Sequence, residues 1–300
     1  MDTYLNTYQI LRDVREMLGE YDEDLMQGRD ASGAYSNVFL TRRINEAQAL
    51  LYAFLMKVIP DEFYAEKTIT ASASELALPW NFGRIIQLRD SNGTVVTPVK
   101  PRQRPAQAAS GSDLQYYRKG RSLYLTRSGI SSTYTLYYRL APREIHAGRA
   151  SAGAATSITL DADYAPTVAD YYNGMTLENL TQDWTDEIDD YTAARVATIS
   201  ETAAANDIYG IVPEIPDPFH YLIAPRAALE AKMKHSNPKE RPGASDFTSW
   251  QQKVVETLSS FNIAEDTMYP EHLWSDVCGG FSGGVWVSMP GHDSPIWDGF

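Results

Sequence analysis

SNVFLTRRINEAQALLYAFLMKVIP, residues 36–60, carries the strongest helical periodicity in the chain. Ser36 is placed as an N-cap, because its hydroxyl can accept a bond from the first free backbone N–H groups. Leu40, Ile44, Ala47, Leu51, Leu55 and Val58 then recur at helical spacing, with Arg42, Arg43, Asn45, Glu46 and Gln48 on the other side. From Ala49 to Met56 the helix is apolar all round, which predicts burial on every side. This run is too short to span a bilayer, and Lys57 interrupts it. Pro60 closes the helix, since the residue before a proline is pushed out of the α region.

Upstream, Leu5 to Leu18 places Ile10, Val14 and Met17 on one helical face, and Gly19 with an acidic run closes it. Downstream the period changes to two. Lys67–Thr70 is a short strand, and Ile85–Arg89 with Thr94–Val99 flank Asp90-Ser91-Asn92-Gly93, whose Asn-Gly step is a strong hairpin signal. Leu114–Arg118 and Ser122–Arg127 form a second hairpin about Lys119-Gly120, and Tyr134–Leu140 alternates as a half-buried strand. The Pro/Ala/Ser/Gly-rich residues 101–113 read as a mobile surface loop. Ala147–Ser157 reads as a linker, followed by short strands up to Ser200. Helices return at Asp217-Pro218, with a kink expected at Pro225, and again after Ser245, where Phe247, Trp250, Val254 and Leu258 form a stripe.

These elements predict an α+β fold: a four-helix core of two N-terminal and two C-terminal helices, a small antiparallel sheet, and an inserted β module. The expected divisions are 1–147 for the helices and hairpins and 148–207 for the module. Residues 208–265 would be the closing helix pair, and 266–300 an extended Gly/aromatic tail.

Composition narrows the function. Of 300 residues 43% are hydrophobic and 22% charged, as in ordinary globular proteins. The net charge of −13 argues against a nucleic-acid groove and an anionic membrane surface, though DNA could slide past an acidic wall. A single cysteine, Cys278, excludes an internal disulfide and fits a reducing compartment. The N-terminus shows no basic and then apolar signal segment, so the two N-x-T sequons at Asn92 and Asn179 are expected to carry nothing. Gly280-Phe281-Ser282-Gly283-Gly284 matches G-x-S-x-G, yet only eighteen residues follow Ser282, which leaves no room for the acid and histidine partners. The five histidines are scattered, and the acidic run Asp183–Asp190 lacks the calcium-loop register, so neither a metal nor a cofactor is expected. No P-loop or dinucleotide fingerprint occurs. The reading is of a protein that is not an enzyme.

The order of elements resembles the head-to-tail adaptor (connector) proteins of tailed bacteriophages. The similarity runs through Phe39–Val58, the step Leu78-Pro79-Trp80-Asn81-Phe82-Gly83-Arg84-Ile85, the strand Tyr134–Pro142 and the helices from Pro216 to Phe261. The insertion, with Asp170–Leu177 and Ile188–Thr192, looks like a small β module recurrent in phage structural proteins. The resemblance implies a virion neck protein: a ring of about twelve copies that binds the portal, carries a tail or nozzle protein, and surrounds passing genomic DNA without holding it. Phe281, Trp286, Trp297 and Phe300 in the Gly-rich tail are the candidate portal-docking residues, since exposed aromatics at a chain end mark interaction sites. Arg42 and Arg43 are the candidates for a subunit interface or the channel. The alternative is a β-rich tail or surface component whose aromatic strands stack on glycans. A hydrolase using buried carboxylates comes third.

Overall fold

In a computed structural model of the protein, residues 5–20, 35–99, 114–127, 130–235 and 241–260 are described. Helix α1 (Thr7–Met17) opens on a capping box: the Asn6 side chain accepts from the Gln9 N–H, and the Gln9 side chain accepts from the Asn6 N–H. Helix α2 (Asn37–Val58) is capped by the Ser36 hydroxyl, which accepts from the Phe39 N–H at 3.2 Å. Pro60 starts a single 3₁₀ turn, Pro60–Phe63, that delivers the chain into the first strand.

The expected four-helix core with a small sheet is wrong. The described residues hold four α-helices but fifteen strands in three sheets, and the largest sheet is a nearly closed barrel. Its strands are β1 (Tyr64–Thr70), β2 (Glu75–Ala77), β3 (Phe82–Asp90), β4 (Val95–Pro98), β5 (Gln115–Lys119), β6 (Ser122–Leu125) and β7 (Thr133–Leu140). They are ordered β1-β7-β3-β4-β5-β6-β2, with β4 and β5 the parallel pair. The two end strands are neighbours in sequence, and the turn between them, with Ala73 and Ser74 at positive φ, brings the sheet round on itself. Two expected hairpins lie within this barrel, their turns closed by Gly93 and Gly120 at positive φ. Leu76, Leu88, Leu123, Leu136, Tyr134 and Tyr138 fill its interior, a core of its own.

Two smaller sheets follow. Strands β8 (Ala147–Arg149), β9 (Ala152–Ala154), β10 (Ser157–Thr159), β11 (Thr176–Asn179), β12 (Trp184–Glu187), β13 (Asp190–Tyr191), β14 (Val196–Thr198) and β15 (Ile208–Ile211) pair as β13-β14-β10-β9 and β12-β11-β15-β8. The segment expected as a linker, residues 147–157, is therefore strand. Its small residues are needed because a Cβ on Gly153 would lie 2.5 Å from the Ala203 backbone.

A 3₁₀ helix, Asp217–Leu222, leads into α3 (Ile223–His235), and α4 (Ala244–Ser260) ends the described chain. Pro225, the site of the expected kink, falls in the first turn of α3, just after the change from 3₁₀ to α-helix at Leu222–Ile223. The helices do pack together, α1 and α2 against α3, and α3 against α4. Their apolar stripes are not satisfied by one another alone. Ile10, Leu51 and Phe54 share one continuous core with Leu177, Tyr191, Tyr209 and Ile211 of the small sheets. The start of α1 crosses β15 so closely that a Cβ on Gly210 would meet Asn6 Oδ1 at 2.6 Å. So the molecule has two cores, one inside the barrel and one between the helices and the small sheets.

Candidate interaction site at the junction

Residues 141–146 form a strap between the barrel and the small sheets, and polar side chains of α2 hold it. Asn45, Gln48 and Tyr52 lie on one helical row. Asn45 Nδ2 donates to the Ile145 carbonyl at 2.9 Å, and its Oδ1 accepts from the Ile145 N–H at 2.8 Å. Gln48 Nε2 donates to the Arg143 carbonyl at 2.8 Å, and the Tyr52 hydroxyl donates to the Leu140 carbonyl. The row thus supplies the backbone partners that a neighbouring strand would otherwise supply.

Arg143 is buried and fully engaged. Its Nη2 donates to Glu214 Oε1 at 2.6 Å and its Nε to Glu214 Oε2 at 3.0 Å, a two-point pair. Nη1 donates to the carbonyls of Tyr171 and Asn173, both at 2.8 Å. The barrel is tied to the same place: Asn81 reaches Glu214 at 3.4 Å, and Trp80 Nε1 donates to the Ala169 carbonyl at 2.9 Å. Arg121 covers the Trp80 ring, 3.7 Å from its centroid.

Beside this clamp His146 is buried between two hydroxyls, Tyr172 at Nδ1 and Tyr209 at Nε2, each at 2.9 Å. Burial pushes its pKa down to about 3 and pushes both tyrosines well above their usual value. All three groups are buried, which favours their neutral forms, and His146 and Tyr172 stand at the floor of a cleft. Their mutual hydrogen bonds tie the strap to Tyr172 and to Tyr209 on β15.

An open cleft of about 700 Å³ faces this junction, with Arg42, Asn45, Glu46, Glu144, Asp163 and Tyr164 among its walls. Here the two candidate arginines part. Arg42 is exposed at the cleft mouth and pairs with Glu46 at 3.3 Å. Arg43 is buried, paired to the other Glu46 oxygen and laid over the Phe39 ring at 5.1 Å. Only Arg42 is placed to meet a partner. Phe281, Trp286, Trp297 and Phe300 lie outside the described residues.

Among the described residues no group of three or more His, Cys, Asp and Glu side chains could hold a metal ion. Within the acidic run 183–190, Asp186 accepts from the Ser200 N–H and hydroxyl and so ties down a turn. The charge arrangement is the feature sequence reading missed. Between residues 64 and 140 stand eleven Lys and Arg against four Asp and Glu, a net charge of +7, whereas residues 148–211 hold eleven carboxylates and two arginines, a net charge of −9. Summing the whole chain to −13 hid this, and counting by segment reveals it. No family model matches the chain, and a search of curated proteins finds no match.

Proposed function

We propose that this chain is a structural protein of a phage virion, a head-to-tail adaptor whose copies form a ring between portal and tail. The observation that carries the reading is the closure of one helical unit from both ends of the sequence. Helices α1 and α2 pack against α3 across more than 150 residues of β structure, which matches the order of elements in that family. The barrel, with a core of its own, is then the part of an adaptor free to meet neighbours, while the small sheets share the core of the helices. Exposed apolar side chains on the helical unit, Met17, Val38, Tyr221 and Met233, suit a contact with further chains. The junction is held by structural hydrogen bonds and a buried ion pair, which suits a role of binding and shape. Genomic DNA would pass without being held, and the aromatic residues 281–300 would reach the portal.

Glycan binding receives less support. The Tyr117 and Tyr124 rings stack on each other at 5.6 Å, and Arg89 covers Tyr137, so these outer rings are already occupied. Electron microscopy of the purified chain, alone and mixed with the portal protein of the same genome, tests the proposal. A ring stacked coaxially on the portal is expected. Deleting residues 279–300 should abolish that stacking. No ring under either condition would overturn the reading.

A further inference from the structure

The barrel segment, residues 64–140, carries a net charge of +7 in an acidic chain, and two of its arginines point outward without a carboxylate partner among the described residues. On the outer face of the β1-β7-β3 sheet, register places Arg84 opposite Arg139 and Arg89 opposite Thr135, with Tyr137 between them. Asp61 pairs with Arg139 at 3.3 Å, and Glu66 lies across from Tyr137 on β1. Arg84 and Arg89 are exposed and reach no carboxylate among the described residues. Arg89 instead lies over the Tyr137 ring at 5.5 Å, with Tyr64 tilted against the same ring at 6.0 Å. The face therefore presents guanidinium groups rather than free aromatic planes.

The small sheets present the complement. Asn173 Nδ2 donates to Asp170 at 3.1 Å and to Asp190 at 3.5 Å, and Glu187 lies beside Gly174. These three carboxylates gather about the Asn173–Gly174 corner, and none forms an ion pair with a lysine or arginine among the described residues. Three exposed carboxylates on one corner make it a favourable seat for a cationic partner.

We infer that the Arg84/Arg89 face of one copy docks on the Asn173–Gly174 corner of the next copy. The two patches differ and sit on one chain, so the contact is head-to-tail, the kind that closes into a ring when the rotation per subunit allows it. The inference rests on the ring reading above in that it requires self-association. Nucleic acid is the weaker occupant. The chain outside the barrel carries a net charge of −20, which repels a phosphate backbone and attracts a second barrel. The outer rings, being covered, offer bases no stacking platform.

The test uses the full chain and two charge reversals, Arg84→Glu with Arg89→Glu, and Glu187→Lys with Asp190→Lys. Self-association is read by sedimentation velocity, and circular dichroism checks the fold. Wild type should associate at low salt and do so roughly tenfold less well between about 50 and about 500 mM NaCl. Each reversed variant alone should remain monomeric, while their equimolar mixture should associate again, since each supplies the patch the other needs. The neutral pair Arg84→Gln and Arg89→Gln should fall in between. Association of either reversed variant at wild-type strength, or failure of the mixture to recover, would overturn the contact. So would loss of binding to a 30-base-pair duplex in the Arg84→Glu, Arg89→Glu variant with self-association intact, which marks the face as a nucleic-acid surface. Rings of that variant forming normally on the portal would remove this contact and leave the adaptor reading standing.

Discussion

His146 is enclosed, bonded at both ring nitrogens, and titrates near 3 when folded against 6.5 when free. Throughout that window the unfolded chain binds a proton that the folded chain refuses. The stability this group contributes is therefore complete above pH 6.5 and is lost as pH falls toward 3, by about 1.4 kcal/mol per pH unit. Urea unfolding should show a loss of about 2–3 kcal/mol between pH 6.5 and 4.5. His146→Gln, which keeps a donor and an acceptor but cannot charge, should flatten most of that slope. His220 is shifted in the same direction by burial and should account for part of what remains. A second residue-scale expectation concerns the two adjacent arginines. Arg43→Glu buries a carboxylate beside Glu46 and should cost about 3–5 kcal/mol. Arg42→Glu acts on an exposed pair and should change stability by less than about 1 kcal/mol while impairing assembly. Thermal melts separate the two. At the same scale, the Asn179 amide of the second N-x-T sequon is buried and donates to Asp207 at 2.8 Å.

Among the elements, α2 was the most legible in sequence and also the most misleading. Its cap at Ser36, its stop at Pro60 and its apolar stripe are all local signals, and the helix runs from Asn37 to Val58. What those signals do not encode is which polar residues face water. Asn45 and Gln48 read as an exposed face, yet they hold the strap, because the backbone of residues 143–145 arrives there only through tertiary folding. The same reason hid the β content. Hairpins with Asn-Gly or Lys-Gly turns announce themselves, whereas β8 and β9 are three-residue strands of Ala, Gly and Arg, and β8 pairs with a strand about sixty residues away. Short strands without alternation look like linker. Asn45→Ala tests the weight of the helix–strap bonds. It leaves the Ile145 N–H and carbonyl without their side-chain partners and should cost about 2–3 kcal/mol, read as a lower urea midpoint with an unchanged slope.

For the whole molecule the decisive fact is that there are two cores and one clamp. The barrel core and the helix–sheet core share partly buried Leu140 at their margin, and the polar tie between them runs through Arg143, Glu214, Asn81 and Trp80. Each core is large enough to unfold cooperatively, so the clamp sets whether they melt together. Removing one partner of a buried ion pair leaves the other charge uncompensated, at a cost of about 3–5 kcal/mol. Arg143→Ala should bring that cost and also strip the donors from the Tyr171 and Asn173 carbonyls. Calorimetry of the wild type is expected to show one dominant transition, which the variant splits into two, the later one belonging to the barrel. Replacing Trp80 by Ala should split the transitions less widely, because the Arg143–Glu214 pair survives it. A single transition in both variants, merely shifted down, would mean that the two cores are coupled by packing at Leu140 rather than by the clamp. A barrel held by a few polar ties would be set at a fixed angle by named side chains, whereas one held by apolar packing would be set by the fit at Leu140.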